Sequence, residues 1–424
     1  MLTLRDLILF NIAAVIGIRW LAAAAHAGPG TLTLWALAAV FFFVPSALAV
    51  SALSHAFPGH GGVYLWTRES FGPWHGFLCG YCYWISNLFY FPSLAVAGVA
   101  MTLQFAGQSE NRLLVGGLSL LVILAVTSAN ILGLGAAKWI GNLGGTATYA
   151  AMILLIATAA AVWIQQGPRS TLNLAPELDW GKVNFWPQIA FAFGGLELAA
   201  FLRNEVRGGE RTVRQAAWTG GAAIAVFYMA GTLALLVILP AAGISEVTGL
   251  TQAGAEAGRM LGSPLPGLLL TVFVALGISG QLSAWMGGTA RLPLAMGMDR
   301  YLPPRFAELH PRWRTPVLAL ILQGGACCLF LILMQLGETL RSGYQLLVDM
   351  TVITYFIPFL YMFGAAWKSG LRWSGASGLL VTLAALGFSF VPPAGTPSVL
   401  LFETKLTGGT LLLIALAWIW YKRR

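Results

Sequence analysis

Apolar runs of about 20 residues, the length that crosses a bilayer as a helix, recur from one end of this sequence to the other. Twelve are legible, near residues 7–26, 32–54, 76–104, 113–134, 138–164, 185–203, 215–240, 265–290, 316–336, 343–366, 374–391 and 407–421. A membrane barrel gives short alternating segments instead, and these runs are too long and continuous for that. Charged residues make up 9% of the chain and hydrophobic ones 58%, whereas a soluble domain carries roughly 25% charged residues. The expected fold class is an all-α polytopic membrane protein with twelve transmembrane helices. The opening MLTLRDLILFNIAAVIG runs straight into the first span, so no cleaved leader is expected.

The net charge of +9 is arranged by topology. With both termini placed in the cytoplasm, segments on that side hold seventeen Lys and Arg, and opposite segments hold six. That bias is the one bacterial inner-membrane proteins follow. It explains the basic balance with no nucleic-acid partner. The four cysteines include Cys79-x-x-Cys82, a spacing used by redox and metal sites. It lies inside an apolar span with no second pair, and reads as packing. The five histidines fall at span ends and loops, so no metal site is expected, and no cofactor.

Of the charged residues, Arg19, Glu197 and Asp349 fall well inside predicted spans. An ionised group at the bilayer centre costs at least ~2.5–3.5 kcal/mol, so such residues face a cavity or a partner. Arg19 and Glu197 either line a path or pair with each other. Asp349, nearer a span end, reads as solvated or structural. Glycine accompanies both of the first two: Asn11 to Gly17 precedes Arg19, and Gln188 to Gly194-Gly195 precedes Glu197. Glycine leaves helical geometry readily, and unwound backbone at membrane depth is tolerated where it lines a cavity or is buried in protein. The two segments share I-A-x-x-x-G, Ile12-Ala13…Gly17 and Ile189-Ala190…Gly194. Each opens a five-helix half, and interrupted helices in corresponding positions point to a transporter's binding site.

Four stretches resemble the amino acid–polyamine–organocation (APC) family of permeases, over essentially the whole chain. They are Ile16-Gly17-Ile18; Phe57-Pro58-Gly59-His60-Gly61-Gly62-Val63-Tyr64 with Phe71-Gly72; Phe191 to Glu197 followed by Glu205 to Arg211; and Arg291 through Asp299-Arg300-Tyr301-Leu302-Pro303, Phe306, His310-Pro311 and Thr315-Pro316. The resemblance implies a LeuT-like fold of two inverted five-helix repeats, residues 1–165 and 166–366, plus two peripheral helices in 367–424. It implies alternating-access transport of amino acids or related small amines across the cytoplasmic membrane, by proton symport or by exchange against a counter-substrate. It also implies a site between helices 1, 3, 6, 8 and 10. A substrate carboxylate suits free amides at a break, and an ammonium suits free carbonyls.

Two features depart from the family pattern. Arg19-Trp20 follow Gly17 where small residues are usual. Arg19 either contacts an acidic substrate, as in the glutamate/4-aminobutyrate exchange branch, or pairs with Glu197 as a latch. The lysine that some proton-coupled relatives carry within helix 5 is missing from Asn142–Tyr149. Coupling then rests on Glu197 as proton carrier, on sodium held near Ser279 and Ser283, or on exchange alone. The substrate-binding residues expected are Ile16, Gly17, Ile18, Arg19, Phe191, Phe193, Gly194, Gly195, Glu197, Tyr83 and Asn87. The coupling or gating residues are Glu197, Arg19, Asp349, Ser279 and Ser283. An enzyme is not expected, for want of H-E-x-x-H or a supported G-x-S-x-G. A transporter-like sensor and a polyamine exchanger are the competing readings.

Overall fold

A computed structural model describes residues 15–57, 61–176, 179–197, 209–335, 339–393, 396 and 398–422. Asn11–Ala14, Pro58–His60 and Glu205–Gly208, quoted above in the motifs, lie outside the described residues.

Among the described residues every regular element is helical. In chain order they are α1 (Arg19–Ala27), α2 (Thr31–Ala56), α3 (Val63–Phe71), α4 (Pro73–Gln104), α5 (Arg112–Ile131), α6 (Leu134–Gln166), α7 (Trp186–Ala192), α8 (Gly209–Ile238), α9 (Gly249–Met260), α10 (Leu265–Thr289), α11 (Arg291–Met298), α12 (Val317–Gln335), α13 (Leu340–Lys368), α14 (Arg372–Ser389) and α15 (Val399–Lys422). Nine spans among them are long and apolar enough to cross a membrane: α2, α4, α5, α6, α8, α10 continued by α11, α12, α13 and α15. The remaining predicted spans are the first, described from Val15 with a non-helical stretch at Ile16–Ile18, the sixth, described to Glu197 with turns from Phe193, and the eleventh, where α14 runs 18 residues. The chain is a multi-pass membrane protein.

The outer surface is apolar. Leu113, Ile164 and Leu400 are each about four-fifths exposed, and water would penalise such a surface at roughly 25 cal/mol per Å². Trp139, Trp163, Trp367, Trp373, Trp418 and Trp420 are exposed near helix ends, where an aromatic belt meets the headgroups. The interior is built around α4, buried along nearly all of its length, and α13, which packs along it. The pair α6 and α10 also packs closely. A Cβ on Gly144 would lie 2.4 Å from Gly280 Cα, and one on Gly280 would lie 2.5 Å from Gly144 Cα. Small residues at such a crossing let two backbones touch, which is how helices gain contact in lipid.

Helix α1 is short and rich in alanine, RWLAAAAHA. That composition lets it seat flush against α7, α8 and α9, with Leu21, Ala22, Ala24 and Ala25 fully buried. Pro187 sits in the first turn of α7, where a missing N–H costs nothing. Phe193 to Glu197 then form turns, with Gly195 at φ +116°. That conformation is open to glycine and strained for a residue with a Cβ.

Candidate functional site

At both predicted breaks the described residues leave helical geometry, Ile16–Ile18 and Phe193–Glu197, and the two stretches meet. Before α1 the chain is non-helical at Ile16–Ile18, and the helix starts with Trp20 N–H bonded to the Gly17 carbonyl at 3.0 Å. One side chain joins this break to the other. The Tyr228 hydroxyl, from the middle of α8, accepts from Gly17 N–H at 3.0 Å. It faces two carbonyls, Val15 O at 2.7 Å and Ala192 O at 3.0 Å. A phenol has one proton to donate, so the carbonyls share it in turn. The Tyr228 ring stacks on Trp35 at 4.4 Å, and Trp35 Nε1 donates to Thr232 Oγ1 at 2.9 Å. From α10, Gln281 Nε2 donates to the Ile16 carbonyl at 3.2 Å. Backbone groups that a helix would satisfy are thus held by side chains, as buried polar groups require.

The second break surrounds a buried carboxylate. Glu197 is 1% exposed. Its Oε1 accepts from Tyr83 Oη at 2.8 Å and Tyr355 Oη at 2.5 Å, and Oε2 accepts from Gly195 N–H at 3.1 Å. Three donors from α4, α13 and the break itself satisfy it, and among the described residues no cation pairs with it. Gly194 permits the arrangement, because a Cβ there would lie 2.4 Å from Tyr355 Oη. At Gly17 a Cβ would lie 2.5 Å from the Trp20 ring, which folds back over the break.

Arg19 is also 1% exposed, and it does not pair with Glu197: among the described residues it has no carboxylate partner. Nη1 donates to Ser93 Oγ at 3.0 Å. The guanidinium lies over Trp20 at 4.1 Å and Tyr90 at 4.8 Å, an arrangement that cation–π attraction favours. Phe191 bridges the two breaks, edge-on to Trp20 at 5.2 Å and to Tyr355 at 4.7 Å. Phe193 points elsewhere, against Trp35 and Tyr228, and does not share the Phe191 position.

Several expected residues lie elsewhere. Ser279 donates to its own helix at Ala275 O and lines an apolar cleft of about 420 Å³ between α4, α5 and α10. Ser283 accepts from Asn130 Nδ2 at 3.2 Å, at the contact of α5 with α10. Helical residues advance by roughly 100°, so Gln281 projects nearly opposite both serines, and it alone of the three reaches the break. Asn87 donates to the Tyr83 carbonyl at 2.7 Å, one turn back on its own helix. Of the two readings of Asp349, solvated or structural, burial excludes the first: it is 1% exposed. Gln345 Nε2 donates to its Oδ1 at 2.9 Å and to Asn184 Oδ1 at 2.7 Å. Asn184 in turn donates to Val391 O at 2.8 Å. The start of α13 and the turn before α7 therefore roof a residue that the span boundary alone leaves open.

Sequence reasoning missed Tyr228, Tyr355 and Gln281. A signal existed for the first two: each is a tyrosine near the middle of a span, away from the interfacial belt where tyrosines collect.

Ion pairs tie the helix ends. On the side predicted to be cytoplasmic, Asp299 accepts from Arg68 Nη1 at 2.6 Å and from Tyr64 Oη at 2.5 Å. Two of the stretches that carried the family resemblance thus meet. Burial and the Asp299 carboxylate push the Tyr64 hydroxyl far above its ordinary range, so it remains a donor. On the opposite side Arg341, at the start of α13, binds Glu246 through Nε at 2.6 Å and Nη2 at 3.3 Å.

Comparison with known proteins agrees with this architecture. The family model described as amino acid permease matches residues 2–400. An uncharacterized transporter of Legionella pneumophila is 26% identical over 452 residues, covering 100% of this chain and 97% of that protein. The serine/threonine exchanger SteT of Bacillus subtilis is 27% identical over 348 residues, 80% of this chain and 76% of its own. An uncharacterized transporter of Mycobacterium tuberculosis is 27% identical over 332 residues, 76% of this chain and 71% of that protein. With two non-helical stretches, Ile16–Ile18 and Phe193–Glu197, held together inside a multi-pass bundle, and a family match over nearly its whole length, this chain belongs to the amino acid permease family and is a transporter, not an enzyme.

Proposed function

We propose that the protein carries amino acids across the cytoplasmic membrane by alternating access, exchanging one for another at the two breaks. One observation carries this reading: the Tyr228 hydroxyl joins Val15, Gly17 and Ala192, so both interrupted helices border one buried region. Half-helix ends at such a place offer amides and carbonyls to a small dipolar solute. Exchange is favoured over symport because a relative covering most of the chain is an exchanger, SteT. The architecture we assign is LeuT-like: twelve spans, inverted repeats at 1–165 and 166–366, peripheral helices in 367–424, and both termini cytoplasmic. In this scheme Arg68–Asp299 latches the inner side and Glu246–Arg341 the outer.

Counterflow in proteoliposomes tests the reading. Vesicles loaded with an unlabelled amino acid should accumulate the same labelled amino acid transiently, above protein-free vesicles. Binding without accumulation across a full amino-acid panel would instead identify a sensor.

A further inference from the structure

The Arg19 guanidinium is used on one side only. Nη1 holds Ser93, and the two ring faces cover the flat of the group. Nε and Nη2 are buried and have no hydrogen-bond partner among the described residues. These two nitrogens share an edge, and that edge is the fork that takes a carboxylate through two parallel N–H···O bonds. A buried cation missing its acceptors is a costly arrangement for a protein to keep for packing alone. Among the described residues no carboxylate lies within ion-pair distance of it: Glu197 is capped by two tyrosines and an amide, and Asp349, whose Oδ2 has no partner, is held through Oδ1 by Gln345. The Tyr344 hydroxyl also lies beside the guanidinium, and a neutral phenol there leaves the positive charge uncompensated.

Two further observations point the same way. The Gly17 amide, which a break would offer to an anion, is already taken by Tyr228. On the facing half-helix, Gln188 Nε2 is also buried without a partner, one turn before the Phe191 that touches Trp20. Donors for oxygen are therefore left open on both interrupted helices.

We propose that the free edge of Arg19 binds a carboxylate of the transported solute, so that amino acids pass and amines or polyamines without a carboxylate do not. This rests on the transport reading above and narrows it. A cationic amine entering here meets an uncompensated positive charge. An amino acid completes the guanidinium and leaves Ser93 in place.

The test is counterflow with matched pairs: serine against ethanolamine, ornithine against putrescine, and the remaining amino acids as a panel. For each amino acid that exchanges, the decarboxylated partner should be at least about 100-fold poorer in wild type, since sites built to hydrogen-bond a group reject analogues lacking it by still larger factors. Arg19→Gln should raise KM for amino acids and shrink that discrimination. Arg19→Lys should not restore it, because an ammonium lacks the planar fork. Thermal stability of each variant in detergent, with and without the best amino acid, separates lost binding from failed folding: a folded R19K that the amino acid no longer stabilises supports the assignment. Amines exchanging as well as amino acids, or R19K and R19Q with lowered rates but wild-type KM and rank order, would overturn it while leaving the transport reading intact. No exchange by any panel member would overturn both.

Discussion

Replacing Tyr228 by Phe removes one oxygen atom and keeps the ring that stacks on Trp35 and meets Phe193 edge-on. The loss falls on the main chain of both breaks. Gly17 N–H loses its acceptor, and Val15 O and Ala192 O lose the single proton they share. Two hydrogen bonds disappear at any instant. Side-chain hydrogen bonds in membrane proteins average ~0.6 kcal/mol and reach ~1.7 kcal/mol, so the substitution should cost roughly 1–3 kcal/mol. Tyr228→Ala should cost about 3–5 kcal/mol more, because it also empties a space the size of an aromatic ring. The Phe variant should melt earlier in detergent, and its counterflow rate should fall by about tenfold for each 1.4 kcal/mol withdrawn from the exchanging state. Wild-type melting and wild-type exchange in Y228F would refute the view that this hydroxyl organises the breaks. Equal damage in Y228F and Y228A would refute it differently, by showing that the ring and its packing carry no weight of their own.

Glu197→Ala should destabilise the protein by about 3 kcal/mol or more, since Tyr83, Tyr355 and Gly195 N–H lose a shared acceptor inside the bundle; Glu197→Gln, which retains a carbonyl acceptor, should recover a good part of that in the same melting assay. Gly194→Ala should abolish counterflow, because the new methyl meets Tyr355 Oη at 2.4 Å, whereas Gly288→Ala, with open space around it, should leave exchange intact and stabilise α10 by up to ~1 kcal/mol. Asp299→Asn should change stability by no more than about 1 kcal/mol, as expected for a partly exposed pair, yet alter the exchange rate if the inner latch opens and closes in each cycle; a stopped-flow rate equal to wild type would remove Asp299 from the cycle.

The spans were readable because bilayer thickness imposes a length that chance rarely imitates, and because lipid tolerates apolar faces such as those of Leu113 and Leu400 that water does not. The breaks were readable from Gly17 and Gly194-Gly195, where backbone freedom is written directly in residue type. What surrounds a break was less so. Tyr228 and Gln281 lie 211 and 265 residues from the groups they bind, and the face each presents depends on how α8 and α10 rotate in the bundle. Ser279 and Ser283 have suitable chemistry on the wrong face of the right helix. Asp349 sits nine residues into α13, which starts at Leu340, three residues before the predicted boundary. That start and the Asn184 turn enclose it, and a hydropathy pattern reports neither.

An experimental structure of the protein with an exchanged amino acid bound tests the central claim most directly. The solute should lie between Ile16–Arg19 and Phe191–Gly195, its carboxylate on the Arg19 edge, with Tyr228 still joining the two segments. A solute lodged elsewhere, or two helices running unbroken through Gly17 and Gly194, would contradict the account.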